Sequence, residues 1–214
     1  MDIIFNIVFF LVMLYILLSF ISSFPWSKYF FRQQFHVPKD KYLITIDDAP
    51  TIYTKDMINL LKKFEHKALF FVNGEKIEKR EEQFKIIIDS KNDIGNHSYT
   101  HYFFNPMIKS AIIYDLKRNE ELINKYEYKT KKIRTPHGYQ TVGLMKFIKN
   151  NSYSFYHWDI ILLDFIPFIP FFILKYQARK FLKKGGILCM HSNKISIKIL
   201  KYILKKMEAR KNEI

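Results

Sequence analysis

The feature that most constrains the fold of this chain is a regular alternation between short runs of β-branched and aromatic residues and longer amphipathic runs. The short runs predict strands at 42–47, 67–73, 93–96, 131–135, 153–160 and 186–191. The longer runs predict helices at 54–65, 78–91, 109–127, 141–150, 170–184 and 194–211. Parallel strands need such crossovers, because each helix returns the chain to the edge at which the next strand begins. The alternation therefore predicts an α/β domain with a parallel sheet, either a barrel or a doubly wound sheet.

The composition fits one globular domain. Of the 214 residues, 49% are hydrophobic and 17% are aromatic, which is enough apolar surface for a substantial core. The single cysteine, Cys189, excludes an internal disulfide. The formal net charge of +15 predicts attraction to anionic partners. No nucleic-acid-binding motif accompanies the lysines, so we expect no nucleic-acid partner and interpret most of them as solvated helix faces.

The N-terminal residues predict a membrane anchor. Residues 3–24 carry no charged side chain, and these 22 residues at about 1.5 Å each match a hydrocarbon core of roughly 30 Å. A cleaved signal peptide is the alternative, but the short charged leader and the small-residue cleavage site are missing. We expect a single-pass membrane protein with an anchor at 1–25, a juxtamembrane linker at 26–40, a folded domain at 41–214 and membrane lipid as a partner. The excess of Lys and Arg after the anchor favours a cytoplasmic domain.

Ionisable residues follow the predicted strands where each strand ends. Asp47 and Asp48 end the first strand, and two adjacent carboxylates repel each other unless cations lie beside them. His97 and His101 are four residues apart, so a helical turn would place both on one side of the chain. Such a pair is a weak signal alone, but one aspartate with two histidines supplies three ligands for a divalent metal and leaves positions open for water and substrate.

Arg134 and His191 complete this set. Both also lie at or just after the C-terminal ends of predicted strands. In a parallel barrel those ends share one face, and active sites lie on that face. The sequence therefore predicts that these two residues, the two aspartates and the two histidines meet in one site.

Five segments resemble, in order, the motifs of the polysaccharide deacetylases of carbohydrate esterase family 4, the NodB-homology domain. They are TIDDAP at 45–50, HSYTH at 97–101, RTPHGY at 134–139, HWDIILLDF at 157–165 and GILCMHS at 186–192. The resemblance covers nearly all of the predicted folded domain and implies a distorted parallel (β/α) barrel. It implies a hydrolase that uses a divalent metal, with Zn²⁺ preferred, to remove N-acetyl or similar acyl groups from an amino sugar. It favours an extracytoplasmic domain, against the charge bias, so the side of the membrane stays open.

The resemblance assigns roles to the clustered residues. Asp48, His97 and His101 would ligate the metal. Asp47 would be the general base, and Arg134 would keep its carboxylate ionised and oriented.

The remaining motifs imply an acid and a substrate surface. His191 would be the general acid, and Asp164 would orient it and raise its pKa. A backbone N–H near Gly138 and Tyr139 would help to stabilise the oxyanion. The positions implied for substrate binding are Pro136, Gly138, Tyr139, Trp158, Phe165 and Cys189.

Four positions depart from the family pattern. Ala49 stands where the family usually has Gly, and Ile161 stands where an Asp is often found. Phe165 replaces the usual Trp, and Cys189 replaces the usual Leu. The departures concern substrate contacts, whereas every implied ligand and acid–base position is filled.

The segment FIPFIPFFIL at 165–174 bears on the choice of substrate. It carries no charge, is too short to span a bilayer, and contains two prolines that resist a continuous helix. One interpretation is a buried loop. The other is a membrane-dipping lip beside the site, which favours a polyprenyl-linked amino sugar slightly over a wall polymer such as peptidoglycan or a chitin-like glycan.

Two other classes of function stay open. A metal-binding pseudoenzyme that binds glycans would use the same residues without turnover. A basic membrane-surface scaffold or nucleic-acid binder is supported only by the net charge.

Overall fold

A computed structural model of the chain describes residues 6–11, 13–14, 41–102 and 109–211. Within these ranges the strands are β1 Tyr42–Ala49, β2 Leu69–Val72, β3 Asp93–Asn96, β4 Lys132–Ile133, β5 Ser154–Phe155, β6 Ile160–Ile161 and β7 Gly186–His191. The helices of the domain are α1 Thr54–Lys63, α2 Gly74–Lys79, α3 Glu81–Asp89, α4 Lys109–Asn124, α5 Val142–Asn150, α6 Phe171–Lys184 and α7 Lys194–Lys211, with a 3₁₀ turn at Pro136–Gly138.

The strands form one parallel sheet in the order β5-β4-β3-β2-β1-β7-β6. From β1 to β5 each strand lies beside the next one along the chain, and the chain then crosses to the other side of β1 for β6 and β7. This is the cyclic order of a barrel, with a seam between β5 and β6. The sheet is thus a curled half-barrel, and the predicted parallel α/β architecture is confirmed.

The seam falls inside the run 153–160, which the sequence predicts as one strand. Between β5 and β6 the carbonyl oxygens of Tyr156 and His157 accept hydrogen bonds from the Arg134 guanidinium, each at 3.1 Å. Because these carbonyls bond a side chain instead of a neighbouring strand, the ladder stops there. The chain then shifts to the opposite edge, where Asp159 N–H donates to Ile187 O at 2.9 Å.

The core anchors the end of β1 that carries the aspartates. In β2, Leu69–Val72, each side chain is at most 1% exposed, as expected for a parallel strand covered on both faces. The largest apolar cluster packs the sheet against helices on one side and includes Met57, Phe84 and Phe181, all fully buried. Burying each such side chain contributes roughly 1.5–3 kcal/mol. Ile46 and Ala49 of β1 belong to the same cluster, so this strand is anchored in the core.

The predicted helix 78–91 is two helices, α2 and α3, which meet at Arg80 in a non-helical conformation. Helix α2 begins four residues earlier than predicted, at Gly74. A side chain at Gly74 could not be accommodated, since a Cβ there would lie 2.1 Å from the ring of Tyr99. This close approach seats the 97–101 segment against the start of α2.

The prediction of a single-pass membrane protein is wrong. Within the described ranges, no helix combines the length and the apolar character that crossing a bilayer requires. Most of the predicted anchor at 1–25, and the whole linker at 26–40, lie outside the described residues.

Candidate active site

The two carboxylates at the end of β1 face the same edge of the sheet. Side chains normally alternate between the two faces of a strand. Asp48 breaks this alternation with a left-handed backbone, φ 65°, and the pairing of β1 with β2 shifts register at the same place. As a result Asp47 Oδ2 lies 3.8 Å from His97 Nε2, and Asp48 Oδ1 lies 3.2 Å from His101 Nε2.

Asp48, His97 and His101 form a set that fits a divalent metal. Each offers one donor atom, and these atoms lie within 4.8 Å of one another. His97 Nδ1 is 2.8 Å from the carbonyl oxygen of Arg134, which can only accept, so the proton is on Nδ1 and the Nε2 lone pair is available. Asp48 Oδ1 is buried and accepts no hydrogen bond from the described residues.

The charges of this set also suit a metal. Burial lowers the pKa of His101 to about 4 and lowers the pKa of His97, so both imidazoles are neutral near pH 7. Burial raises the pKa of Asp48, but His101, His97 and Lys76 outweigh it and hold that pKa well below its usual range. One carboxylate and two neutral imidazoles are the protonation states that ligate a metal.

A loop holds the two histidines, and the predicted helical turn between them is wrong. Residues 97–102 are not helical, and both Ser98 and His101 have left-handed backbones, with φ 67° and 58°. The buried Asp115 of α4 fixes the loop by accepting hydrogen bonds from Tyr99 N at 2.9 Å and Thr100 N at 3.0 Å. The two imidazole rings meet at a centroid distance of 5.0 Å because of this loop rather than the i, i+4 spacing.

Asp47 pairs with Arg134 in the interior. Arg134 Nη1 donates to Asp47 Oδ1 at 2.7 Å and to Thr45 Oγ1 at 2.6 Å, and the guanidinium lies over the Phe71 ring at 4.3 Å. Burial raises the pKa of Asp47, but the cations around it, Arg134 foremost, lower it overall. The carboxylate is therefore ionised, and Oδ2 is turned away from the guanidinium.

Asp164 and His191 form a second pair on the other side of Asp47. Asp164 Oδ1 is 2.7 Å from His191 Nδ1, and Oδ2 accepts from the His191 backbone N–H at 2.9 Å. Ser196 Oγ also donates to Asp164. Burial lowers the pKa of His191, but the hydrogen bond and charge of Asp164 outweigh burial and raise it. The pair therefore favours the protonated form of His191 and leaves Nε2 pointing away from Asp164.

The RTPHGY motif forms a tight turn beside the histidines. Gly138 has φ 70°, and a Cβ on it would lie 2.5 Å from the Trp158 ring, so the turn rests directly on this buried tryptophan. The ring of the exposed His137 lies 5.0 Å from that of His101. The N–H groups of Gly138 and Tyr139 donate inside the turn, to Thr135 O and Pro136 O, so in this structure they are not oriented as oxyanion donors.

The other predicted substrate positions differ in exposure. Pro136 and Tyr139 are buried within the turn. Cys189 is fully buried, and its thiol donates to Asp47 Oδ2 at 3.3 Å. Phe165 is 52% exposed, with its ring edge-on to His191 at 5.1 Å, and so borders the mouth of the site.

Sequence reasoning missed three supporting residues: Asp115, Lys76 and Ser196. Lys76 Nζ lies 3.3 Å from Asp48 Oδ1 and donates to the Asp48 carbonyl at 3.1 Å. In the sequence, Asp115 and Ser196 resemble ordinary solvent-facing positions of predicted helices. The one signal for Asp115 was its place on the apolar side of α4, between Ile112 and Leu116, all three of which are buried.

Several curated proteins are similar in sequence to this chain. A peptidoglycan-N-acetylglucosamine deacetylase from Bacillus cereus is 28% identical over 146 residues, which are 67% of this chain and 53% of that protein. The chain spans about half the length of the curated relatives that it matches first, between 46% and 59%.

Solved structures establish the same fold at low sequence identity. The peptidoglycan deacetylase PdaC from Bacillus subtilis superposes with a TM-score of 0.72 at 22% identity, covering 80% of this chain and 85% of that one. A CE4 family pseudoenzyme from Bacillus anthracis superposes with a TM-score of 0.74 at 22% identity, covering 82% and 64%. The fold therefore does not by itself distinguish an active deacetylase from a pseudoenzyme.

A family model described as Polysaccharide deacetylase matches residues 36–156. The match takes in more than half of the 214 residues and contains the motifs that carry both aspartates, both histidines and Arg134. The chain therefore belongs to the polysaccharide deacetylase family.

Proposed function

We propose that the protein is a metal-dependent N-deacetylase that hydrolyses the acetamido group of an amino sugar in a glycan. One observation carries the proposal. The three donors of Asp48, His97 and His101 lie within 4.8 Å of one another, directly beside an ionised Asp47 and His191, whose protonated form Asp164 favours. Amide hydrolysis needs a polarised carbonyl, a deprotonated water and a protonated leaving amine, and these groups can supply all three.

Asp48, His97 and His101 would hold the metal, and Zn²⁺ is our proposal because mixed carboxylate and imidazole ligands with open positions are typical of catalytic zinc sites. Such an ion polarises a carbonyl oxygen and lowers the pKa of a bound water from 15.7 to about 7.

Asp47 would be the general base. Arg134 holds Oδ1, so Oδ2 is the oxygen that can take a proton from the attacking water. Because the guanidinium stabilises the ionised form, Asp47 is ready as an acceptor across the neutral pH range.

His191 would be the general acid. It is the register partner of Asp47 across β1 and β7, so the proposed acid and base stand side by side on neighbouring strands, at the same edge of the sheet. Asp164 fixes the ring through Nδ1, so Nε2 would deliver the proton to the leaving nitrogen.

The substrate class is the finer part of the proposal. The relatives' names favour peptidoglycan, and an amino-sugar wall polymer is our first candidate. A polyprenyl-linked amino sugar is the second, and exposed apolar side chains in the segment that follows Asp164 favour it. They are Phe165, Ile166, Phe168, Phe172 and Tyr176, of which Phe165 contacts the His191 ring.

Acetate release tests the proposal. Purified protein, stripped of metal and then supplied with Zn²⁺ or with chelator, is given N-acetylated wall oligomers and polyprenyl-linked sugars in parallel. We expect zinc-dependent release that Asp47→Asn abolishes, whereas Asp56→Asn on α1 leaves it unchanged. Zinc binding at Asp48, His97 and His101 without release from any substrate would indicate a glycan-binding pseudoenzyme. Absence of zinc binding would refute the proposal.

A further inference from the structure

We propose that Asp47, Cys189 and His191 form a second metal site, separate from the Asp48 set, that takes a thiophilic divalent ion such as Zn²⁺ or Cd²⁺ when the ion is in excess. An ion at this site would inhibit deacetylation, because it would occupy both the proposed base and the proposed acid. This inhibition rests on the proposed function, whereas the binding of the ion does not depend on it.

The three side chains project from the same face of two neighbouring strands. Asp47 on β1 pairs in register with His191 on β7, and Cys189 lies two residues before His191, on the same side of that strand. Their donor atoms lie within 4.8 Å of one another, and Cys189 Sγ is 3.3 Å from Asp47 Oδ2. The backbone of a paired parallel sheet fixes these positions, so the set is held in place before any ion arrives.

The remaining atoms of these side chains already have partners that orient the donors. Arg134 holds Asp47 Oδ1 at 2.7 Å, so Oδ2 faces the cysteine. Asp164 holds His191 Nδ1 at 2.7 Å, so Nε2 is the available donor. Outer partners of this kind fix the orientation of ligands in known metal sites.

The donor chemistry separates this site from the Asp48 set. Carboxylate oxygen, imidazole nitrogen and sulfur together suit zinc or cadmium, with a fourth position for water. The Asp48 set offers no sulfur, so a soft ion such as Cd²⁺ distinguishes the two sites. On binding, bonds from the metal to Cys189 Sγ and to His191 Nε2 form, the S–H bond of the thiol and the N–H bond at Nε2 break, and both protons leave to solvent.

The second site is expected to be the weaker one. The Arg134 guanidinium beside Asp47 repels a second cation. An ion therefore fills the Asp48 set first and reaches the second site only in excess. Once there, it takes the lone pair of Asp47 Oδ2 and that of His191 Nε2, which leaves the protein without its proposed proton acceptor and donor.

The single cysteine makes the test unambiguous. Because Cys189 is the only cysteine in the chain, any thiolate-to-metal charge-transfer band reports on this residue. Metal-free full-length protein is titrated with Co²⁺ and with Cd²⁺, with absorbance recorded and bound equivalents counted by calorimetry. We expect two equivalents, with the band growing during the second.

Two variants assign the equivalents. Cys189→Ser should lose the charge-transfer band and the second bound equivalent. Its inhibition constant for Zn²⁺, measured relative to the variant's own uninhibited rate, should rise at least about tenfold. Loss of an outer partner alone changes metal affinity about 10–100-fold, and Cys189 would be a direct ligand. His101→Gln should lose the first equivalent and keep the band.

Two results would overturn the proposal: a single equivalent without a band in the unmodified protein, or loss of the band in His101→Gln, which would place Cys189 in the first site. A band and a second equivalent in a protein that releases no acetate would support this site while contradicting the proposed function. The titration of the unmodified protein already decides whether the second site exists. The test therefore still holds if one of the variants fails to fold.

Discussion

Replacing Asp115 is expected to weaken metal binding, although Asp115 is not a ligand. It is buried, and its Oδ2 accepts from two consecutive backbone N–H groups of the loop that carries His97 and His101. Asp115→Ala leaves both N–H groups without an acceptor, at about 1–3 kcal/mol each. We therefore expect a loss of about 2–6 kcal/mol in the free energy of unfolding, and a zinc affinity about 10–100-fold weaker, as for other outer partners of metal ligands.

The design includes a graded variant and a matched control. Asp115→Asn can still accept both N–H groups with its amide oxygen and donate to Thr100 Oγ1, so it should fall between the unmodified protein and Asp115→Ala. Glu121→Ala, on the exposed side of the same helix, should behave as the unmodified protein. Zinc affinity is measured by competition with a chromogenic chelator, and stability by urea unfolding in chelator.

The rank order decides the outcome. If a folded Asp115→Ala binds zinc within about twofold of the unmodified protein, a difference of roughly 0.4 kcal/mol, then the loop geometry does not depend on Asp115 and the reasoning fails.

Four further predictions follow from the same contacts. Asp164→Asn removes the charge that raises the pKa of His191, so burial then lowers that pKa. Because the general acid must be protonated, the basic limb of the pH profile of kcat/KM should move to lower pH. A basic limb that does not move would contradict the assignment. Arg134→Met leaves Asp47 buried without its counterion and should lower the free energy of unfolding by about 3–5 kcal/mol, whereas an unchanged urea midpoint would argue against the pair. Gly138→Ala places a Cβ 2.5 Å from a tryptophan ring at φ 70° and should destabilise by about 1–3 kcal/mol in urea, with a neutral result counting against the tight turn. Adding Zn²⁺ at 100 times its dissociation constant should stabilise the metal-free protein by about 2.7 kcal/mol, seen as a higher Tm that chelator reverses; no shift would speak against the site.

The sequence was sufficient to predict the sheet and the clustered residues. Buried parallel strands have nearly continuous runs of apolar residues, so β1, β2 and β7 could be predicted from the residue types alone. Once parallel strands are granted, residues at their C-terminal ends must meet. Asp47 and His191, 144 positions apart, are register partners for that reason.

Other features depend on contacts that no local pattern contains. The break between β5 and β6 arises because the side chain of Arg134, directly after β4, donates hydrogen bonds to the carbonyl oxygens of Tyr156 and His157. The loop geometry at His97 and His101 depends on a hydrogen-bond acceptor from another helix, Asp115. The membrane prediction was based on the apolar composition of 3–24 alone, and no helix in the described ranges has the length and apolar character of a membrane span.

The unusual backbone of the site limits how it could be transferred to another protein. Of the nine non-glycine residues with positive φ in the described ranges, four belong to the site: Asp48, Ser98, His101 and His137. Each such residue costs of order 1–3 kcal/mol and persists only where its surroundings enforce it. A designer who copied the ligands onto the regular strands of a new sheet would therefore direct Asp48 to the wrong face. A working graft must carry the loops and their supporting helices as one unit.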